Sequence, residues 1–327
     1  MTLLLTRRDV ADLLPIEACI DAVEGAFRLH GEGRAEPPGI LGMHAKEGSF
    51  HVKAGFLDLG RRYFAAKTNA NFPGNPGRFG LPTIQGVVLL ADADQGTPLA
   101  LMDSGEITSL RTGAATAVAA RYLSRADAKV ATVCGCGLQG RAQLRALAAV
   151  RPLARAYAVD KDHARAVVFA REMSSALGFE VSAVTDLHAA ARASDICVTC
   201  TPSREPILDA DAGGPGAFIA AVGADNELKQ ELHPALMASS VIVVDMLEQA
   251  VTIGDLHHAL AAGAVTADDV RAELGQVVAG VRPGRRSDDE IVIFDSTGMA
   301  LEDVAAAAAV YERAVRAGRG VKIDLAA

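Results

Sequence analysis

A short apolar run that stops at a glycine turn and passes straight into a helix constrains this chain more than any other stretch. Lys129-Val130-Ala131-Thr132-Val133 leads into Cys134-Gly135-Cys136-Gly137-Leu138-Gln139-Gly140, and a helix-forming segment over 141–150 follows at once. Gly135, Gly137 and Gly140 stand in G-x-G-x-x-G order. The first allows the tight strand-to-helix turn, the second lets a pyrophosphate approach the backbone, and the third lets the helix pack close to the sheet. The helix start then offers unpaired N–H groups and its positive dipole end to the phosphates. Glycine-rich turns are common, so context must give the motif its weight. A second short strand over 155–159 ends in Asp160, twenty residues past Gly140. That is where a dinucleotide site places the acid that binds the adenosine ribose 2′-hydroxyl. A bound dinucleotide is expected here.

With 327 residues, half of them apolar, the chain exceeds what one compact core usually supports, so two domains are expected. The net charge of −8 argues against nucleic acid and anionic membranes as partners. No charged-then-apolar leader opens the sequence and no apolar run is long enough to span a bilayer. The expectation is a cytoplasmic protein. Its five cysteines (Cys19, Cys134, Cys136, Cys197, Cys200) are odd in number, which favours reduced thiols over a disulfide framework. Cys134-x-Cys136 and Cys197-x-x-Cys200 fall at the ends of expected strands, where small side chains pack well. Zinc pairs sit instead on turns that let both sulfurs converge, so no metal is expected.

Along the chain, Thr6 to Asp9 reads as a helix cap, and Ile16, Cys19, Ile20, Val23, Ala26 and Phe27 follow at helical spacing. From Pro37 to Ala70 short alternating runs (40–44, 49–54, 63–68) read as antiparallel strands of a small sheet, and 83–102 as a hairpin. A helix from about Ile107 to Leu123 links this part to the glycine motif. From Lys129 onward strands near 129–134, 155–159, 180–184, 195–200, 217–222, 241–245 and 291–294 alternate with helices. This predicts an α/β fold: a Rossmann-type doubly wound parallel sheet, with a smaller α+β domain before it. The alanine-rich tail over 301–317 is a helix that can pack back on the first domain.

Ligands of doubly wound sheets lie beyond the carboxyl ends of the strands. Those ends carry Thr199 to Ser203, Val222 to Asp225, Val244-Asp245 and Phe294 to Gly298. Asp225 follows a glycine and is either a loop aspartate or a carboxylate that takes a proton from an amine while hydride leaves the α-carbon. In the first domain, Lys67 ends a strand and enters a Pro/Asn/Gly-rich loop, as either a solvated charge or a substrate-binding cation. Arg111 lies early in the linking helix, where the dipole disfavours a cation. A cation placed there often has an anion to bind, and arginine suits a carboxylate.

Five segments together resemble one known family: Lys67 to Pro76, Leu81-Pro82-Thr83, Thr108 to Ala115, Gly223 to Leu232, and Phe294 to Gly298. In this order and over nearly the whole chain they are similar to the ornithine cyclodeaminase/mu-crystallin family. The resemblance implies that residues 1–120 together with 299–327 form a substrate-binding and dimerisation domain, and 121–298 a dinucleotide-binding domain. It implies a homodimer, and a substrate pocket lined by Lys67, Thr83, Arg111 and Asp225. Lys67 would activate the substrate near its α-carbon, Arg111 would hold its carboxylate or a nearby phosphate, and Asp225 would serve as acid/base. The coenzyme set comprises Gly135, Gly137, Leu138, Gln139, Gly140, Asp160, Thr201, Pro202, Ser203, Ser296, Thr297 and Gly298, with Thr112 and Val222.

One stretch departs from the ornithine-specific pattern. Cyclodeaminases of this type carry an arginine for the substrate carboxylate after the first helix, where this chain has Glu36-Pro37-Pro38-Gly39-Ile40-Leu41. His51 and Lys53, two apart on the next strand, can face one side, either toward solvent or with Lys53 replacing the missing cation. The expected activity is hydride transfer with NAD at the α-carbon of an amino acid or its imine, as a dehydrogenase or imine reductase. Redox-neutral cyclodeamination and non-catalytic ligand binding are the alternatives. Asp160 would repel a 2′-phosphate, which favours NAD, while Lys161 and Arg165 nearby keep NADP open.

Overall fold

The structure, a computed structural model, describes residues 1–325. Ala326 and Ala327, the end of the expected C-terminal block, lie outside the described residues. In chain order the elements are β1 (Thr2–Leu5), α1 (Arg7–Leu13), α2 (Ile16–Gly31), β2 (Gly39–Ala45), β3 (Gly48–Asp58), β4 (Arg62–Asn71), α3 (Asn75–Phe79), β5 (Ile84–Asp92), β6 (Pro98–Asp103) and α4 (Ser104–Leu123). There follow β7 (Val130–Cys134), α5 (Leu138–Ala148), β8 (Arg155–Val159), α6 (His163–Leu177), β9 (Glu180–Ala183), α7 (Leu187–Arg192), β10 (Ile196–Thr199), β11 (Arg204–Leu208), β12 (Phe218–Ala221) and β13 (Gln230–Leu232). The chain closes with α8 (Pro234–Ala238), β14 (Val241–Val244), α9 (Leu247–Ala250), α10 (Asp255–Ala261), β15 (Val270–Glu273), α11 (Leu274–Val278), β16 (Val292–Asp295), α12 (Ala300–Ala317) and β17 (Val321–Ile323). Two compact units result: Met1–Arg111 with the chain from Met299 onward, and Thr112–Gly298. The division falls inside α4.

Among the described residues the first unit holds a seven-stranded sheet in the order β17-β1-β6-β5-β4-β3-β2. Strands β2 to β6 form an antiparallel meander, as their alternating pattern requires. On β4 the alternation buries Tyr63, Ala65 and Lys67 on one face, so a lysine occupies a core position of the pattern. Helix α12 packs on α2, β3 and β4; its run of small alanines permits close approach, and a Cβ on Gly55 of β3 would stand 3.2 Å from the Leu301 side chain. The predicted cap at Thr6 and Asp9 is a complete capping box.

The second unit is built on an eight-stranded parallel sheet in the order β15-β14-β16-β12-β10-β7-β8-β9. Strands such as Phe218–Ala221 and Val292–Asp295 are buried along their whole length, as a sheet covered on both faces demands. The order reverses between β7 and β10, which makes the crevice beyond their carboxyl ends the ligand position. A separate parallel pair, β11 and β13, carries Glu231. Among the described residues, no helix is long and apolar enough to cross a membrane.

Two expected boundaries are corrected. Strand β4 continues to Asn71 because its ladder with β5 continues, Asn69 opposite Gly86 and Asn71 opposite Ile84, so Lys67 lies inside the strand and not at its end. Helix α4 starts at Ser104, where the Asp103 carboxylate accepts the Glu106 N–H at 2.8 Å and satisfies the first turn. Arg111 is therefore the eighth residue of the helix, and not in its first turn.

Candidate active site

In the second unit the glycine turn has the geometry its sequence asks for. Gly135 has φ +106, and a Cβ there would meet the Cys200 carbonyl oxygen at 2.7 Å. A Cβ on Gly140 would run into the Gly135 carbonyl, whereas around Gly137 there is open space within 4 Å. Gly137 caps α5 without any side-chain acceptor, which leaves first-turn N–H groups of that helix for an anion. Gln139 has a buried side-chain oxygen without a hydrogen-bond partner, and Leu138 is exposed. Asp160 closes the turn: its carboxylate accepts the Cys136 N–H at 2.9 Å and the Asp162 N–H at 3.0 Å. The acid at the end of β8 and the glycine turn after β7 thus touch.

Three other loops follow the carboxyl ends of the sheet. Thr201 donates its N–H and its hydroxyl to one oxygen of Glu231, at 2.6 and 2.7 Å, and Gly223 donates its N–H to the other at 2.8 Å. Ser203, one residue past Pro202, turns its hydroxyl to the Glu205 carbonyl at 2.7 Å. Val222 donates its N–H to the Thr199 carbonyl. The Ser296-Thr297-Gly298 segment hangs on Asp245, whose carboxylate accepts the N–H groups of Thr297 and Gly298 at 2.7 and 2.5 Å and the Thr297 hydroxyl at 2.8 Å. Asp225 is exposed in the loop after β12 and accepts from Lys229 Nζ at 2.7 Å. Thr112 is buried where the second unit begins.

In the first unit the two cations singled out from the sequence come together around two acids that were not. Lys67 Nζ lies 2.8 Å from Asp303 Oδ1 and 2.7 Å from Oδ2. Arg111 donates from Nη1 to Glu302 Oε2 at 2.9 Å and sets Nε 3.1 Å from Asp303 Oδ1. All four are buried. Lys53 sits opposite Lys67 in the β3–β4 register, and His51 sits opposite Asn69 with its Nε2 2.8 Å from the Ser49 hydroxyl. Burial first, then the charge of Arg111, lowers the Lys67 pKa to about 7; Asp303 opposes that shift and Lys53 adds to it. Burial alone would raise the Asp303 carboxyl, but Lys67 and Arg111 hold it below the usual carboxylate range. Thr83, half-buried before β5, gives its carbonyl to the Phe72 N–H at 2.8 Å.

The helix-dipole reason for Arg111 is thus corrected, since the dipole acts within the first turn and the buried carboxylates of Glu302 and Asp303 are its partners. Those two acids sit in the first turn of α12, where sequence reading expects acids for the dipole alone. The signal available was their place at the head of a long alanine run.

A sequence model described as the ornithine cyclodeaminase/mu-crystallin family matches residues 1–318. The chain belongs to the ornithine cyclodeaminase/mu-crystallin family. It is 40% identical over 322 residues to the alanine dehydrogenase of Archaeoglobus fulgidus, covering 98% of each chain. A solved archaeal alanine dehydrogenase dimer with bound NAD superposes with a TM-score of 0.94 at 40% identity, over 99% of each chain. The Δ1-pyrroline-2-carboxylate reductase of Thermococcus litoralis, solved with NADH and L-proline, gives 0.95 at 34% identity, over 98% of this chain and 100% of that one. Within the ornithine cyclodeaminase/mu-crystallin family this chain shares its full-length architecture with both.

Proposed function

We propose that the chain is an NAD-dependent oxidoreductase acting at the α-carbon of an amino acid or of the matching imine, as an amino acid dehydrogenase or imine reductase. Family membership and the two relatives named for such reactions support it. The observation that carries it is the Asp160 carboxylate bonded to the Cys136 N–H of the glycine turn. In this reading that acid takes the ribose hydroxyls of NAD and repels the 2′-phosphate of NADP. The open side of Gly137 and the uncapped start of α5 suit a pyrophosphate. Thr112, Leu138, Gln139, Val222, the Thr201-Pro202-Ser203 loop and the Ser296-Thr297-Gly298 segment complete the coenzyme set in this reading. The second unit is then the dinucleotide-binding domain and the first the substrate-binding and dimerisation domain.

When bound, NAD supplies the acceptor for the α-hydride, and NADH the donor. Arg111 presents a planar pair of donors to the substrate carboxylate. Lys67, close to neutrality in its protonation, donates to the substrate beside the α-carbon and can hold or release a proton near neutral pH. Asp225, exposed and hydrogen-bonded to Lys229 and Asn226, accepts a proton from the substrate amine. Lys53, His51 and Thr83 complete the substrate side. Attack of water on the imine then gives the oxo acid and ammonia, and the reverse sequence reduces an imine.

The test is a panel of amino acids and cyclic imines, read by both NADH absorbance and product mass. Net coenzyme turnover is expected. Cyclised product without net coenzyme change would establish cyclodeamination in its place, and ligand-dependent melting without product would establish a binder.

A homodimer belongs to the same proposal. Every residue of the edge strand β2 is exposed, including Ile40, Leu41 and Met43, and apolar edges of this length are normally covered. A cytoplasmic setting is supported by five free cysteines, four of them buried.

A further inference from the structure

Three carboxylates of the second unit have no part in the chemistry above, yet each is fully buried: Glu231, Asp255 and Asp295. Among the described residues none of the three is paired with a lysine or arginine; backbone N–H groups and one hydroxyl hold them. They form a series. Asp295, at the end of β16, accepts the N–H of Leu256 at 2.8 Å and that of Asp255 at 3.3 Å. Asp255 accepts the N–H groups of Glu231 and Leu232 at 2.8 and 2.7 Å. Glu231 in turn holds Thr201 through one oxygen and Gly223 through the other.

Each acid fixes the backbone that carries the next, and the last one fixes two loops at once. Those loops follow neighbouring strands β10 and β12, and Asp225 stands two residues beyond Gly223. A Cβ at Gly223 would lie 2.6 Å from the Glu231 carboxyl carbon, so the glycine lets the loop come within reach of the acid. Taking a carboxylate out of water without a cation is costly. Glu231 offsets that cost with three donors, two of them backbone N–H groups that point at the same carboxylate from different loops.

We propose that Glu231 is a positioning residue: through the Gly223 N–H it sets where the Asp225 carboxylate stands, and through Thr201 it sets the 201–203 loop, with Asp255 and Asp295 holding Glu231 itself. This rests on Asp225 being the proton acceptor. Glu231→Gln keeps the size of the side chain but turns N–H hydrogens toward one of its donors, releasing one loop. Displacement of a catalytic group by roughly 1 Å can cost on the order of 100-fold in rate.

The experiment is a double-mutant cycle on the NAD-loaded full chain, using the most active amino acid of the panel as probe, with hydrogen–deuterium exchange of the peptides spanning 201 and 223 as a second readout. Glu231→Gln is expected to lower kcat by about 100-fold and to speed exchange at one or both peptides. In an Asp225→Asn background the same change is expected to cost less than about 3-fold, because it then acts on a group already removed. An equal cost in both backgrounds, or an unchanged kcat, overturns the inference. If Glu231→Gln does not fold, Glu231→Asp is measured; failure of both to fold makes Glu231 a folding requirement and also overturns it. Full activity of Asp225→Asn alone is a separate result: it removes the acid/base assignment, and this inference with it.

Discussion

Lys67 and Asp303 stand 236 positions apart in the chain and meet as a buried ion pair, Nζ to Oδ2 at 2.7 Å. The pair joins the middle of a strand to the first turn of the last long helix. Arg111 reaches the same aspartate from α4. A single carboxylate therefore serves two cations that belong, in our reading, to the substrate site, and the balance among these groups sets the protonation of the lysine.

Replacing Asp303 by Asn should destabilise the protein by about 3 kcal/mol, the low end of the cost of breaking a buried ion pair, because Lys67 can shed its proton. Denaturant unfolding measures this. The same change removes an influence that raises the Lys67 pKa, so the limb of the pH–rate profile set by Lys67 should move to lower pH. A limb that stays in place would show that Lys67 does not set it.

Stability should fall as pH rises from about 5 to 7. Burial first, then the charge of Glu231, raises Asp255 to about 7, so the folded state binds more protons than the unfolded chain between about pH 4 and 7. The stabilisation is complete below the unfolded value and is lost as pH climbs through the folded one. Glu231 and Asp295, raised chiefly by burial, act in the same direction. Lys67, lowered to about 7, acts with opposite sign above that pH, which leaves the 5–7 window to the acids. Calorimetric Tm against pH should slope downward there in the parent, and Asp255→Asn should flatten the slope.

Asp160→Ala should weaken NAD by about 10- to 100-fold, the worth of charge-assisted hydrogen bonds, and weaken NADP less or not at all. The ratio of the two Kd values by calorimetry is the measurement. An unchanged ratio would mean that this carboxylate serves only to pin the Cys136 N–H.

If the proposed homodimer forms through the edge strand, Leu41→Asp should convert it to monomers in light scattering, with little change in monomer stability, since Leu41 is 55% exposed. Dimers that survive the charge would place the subunit contact elsewhere.

Much of the second unit was legible because its signals are local. The glycine turn, the short buried strands and Asp160 each follow from a few adjacent residues with one physical reason apiece. The first unit was legible in its strands but not in its charges. Lys67 occupies a core position of β4, and no pattern of neighbouring residues says which distant acid makes that tolerable. Asp303 and Glu302 look like ordinary first-turn acids until α12 is laid against β4. Asp103 hid the true start of α4, and so gave Arg111 a helix-end reason it does not have. Glu231 lies on a three-residue strand, too short for periodicity to show, and its partners sit in loops brought near only by the order of the sheet.

Helix α12 closes the first unit only after the whole second unit has been made. While the ribosome is still extending the chain, Lys67 and Arg111 have emerged without the acids that will neutralise them, and β3 and β4 lack the helix that covers them. Expressing residues 1–111 alone would leave those charges and that apolar face bare, so the first unit cannot be cut out as one continuous stretch of the natural chain. A circularly permuted chain that begins at Met299 would deliver the acids first, and would be the natural way to isolate it.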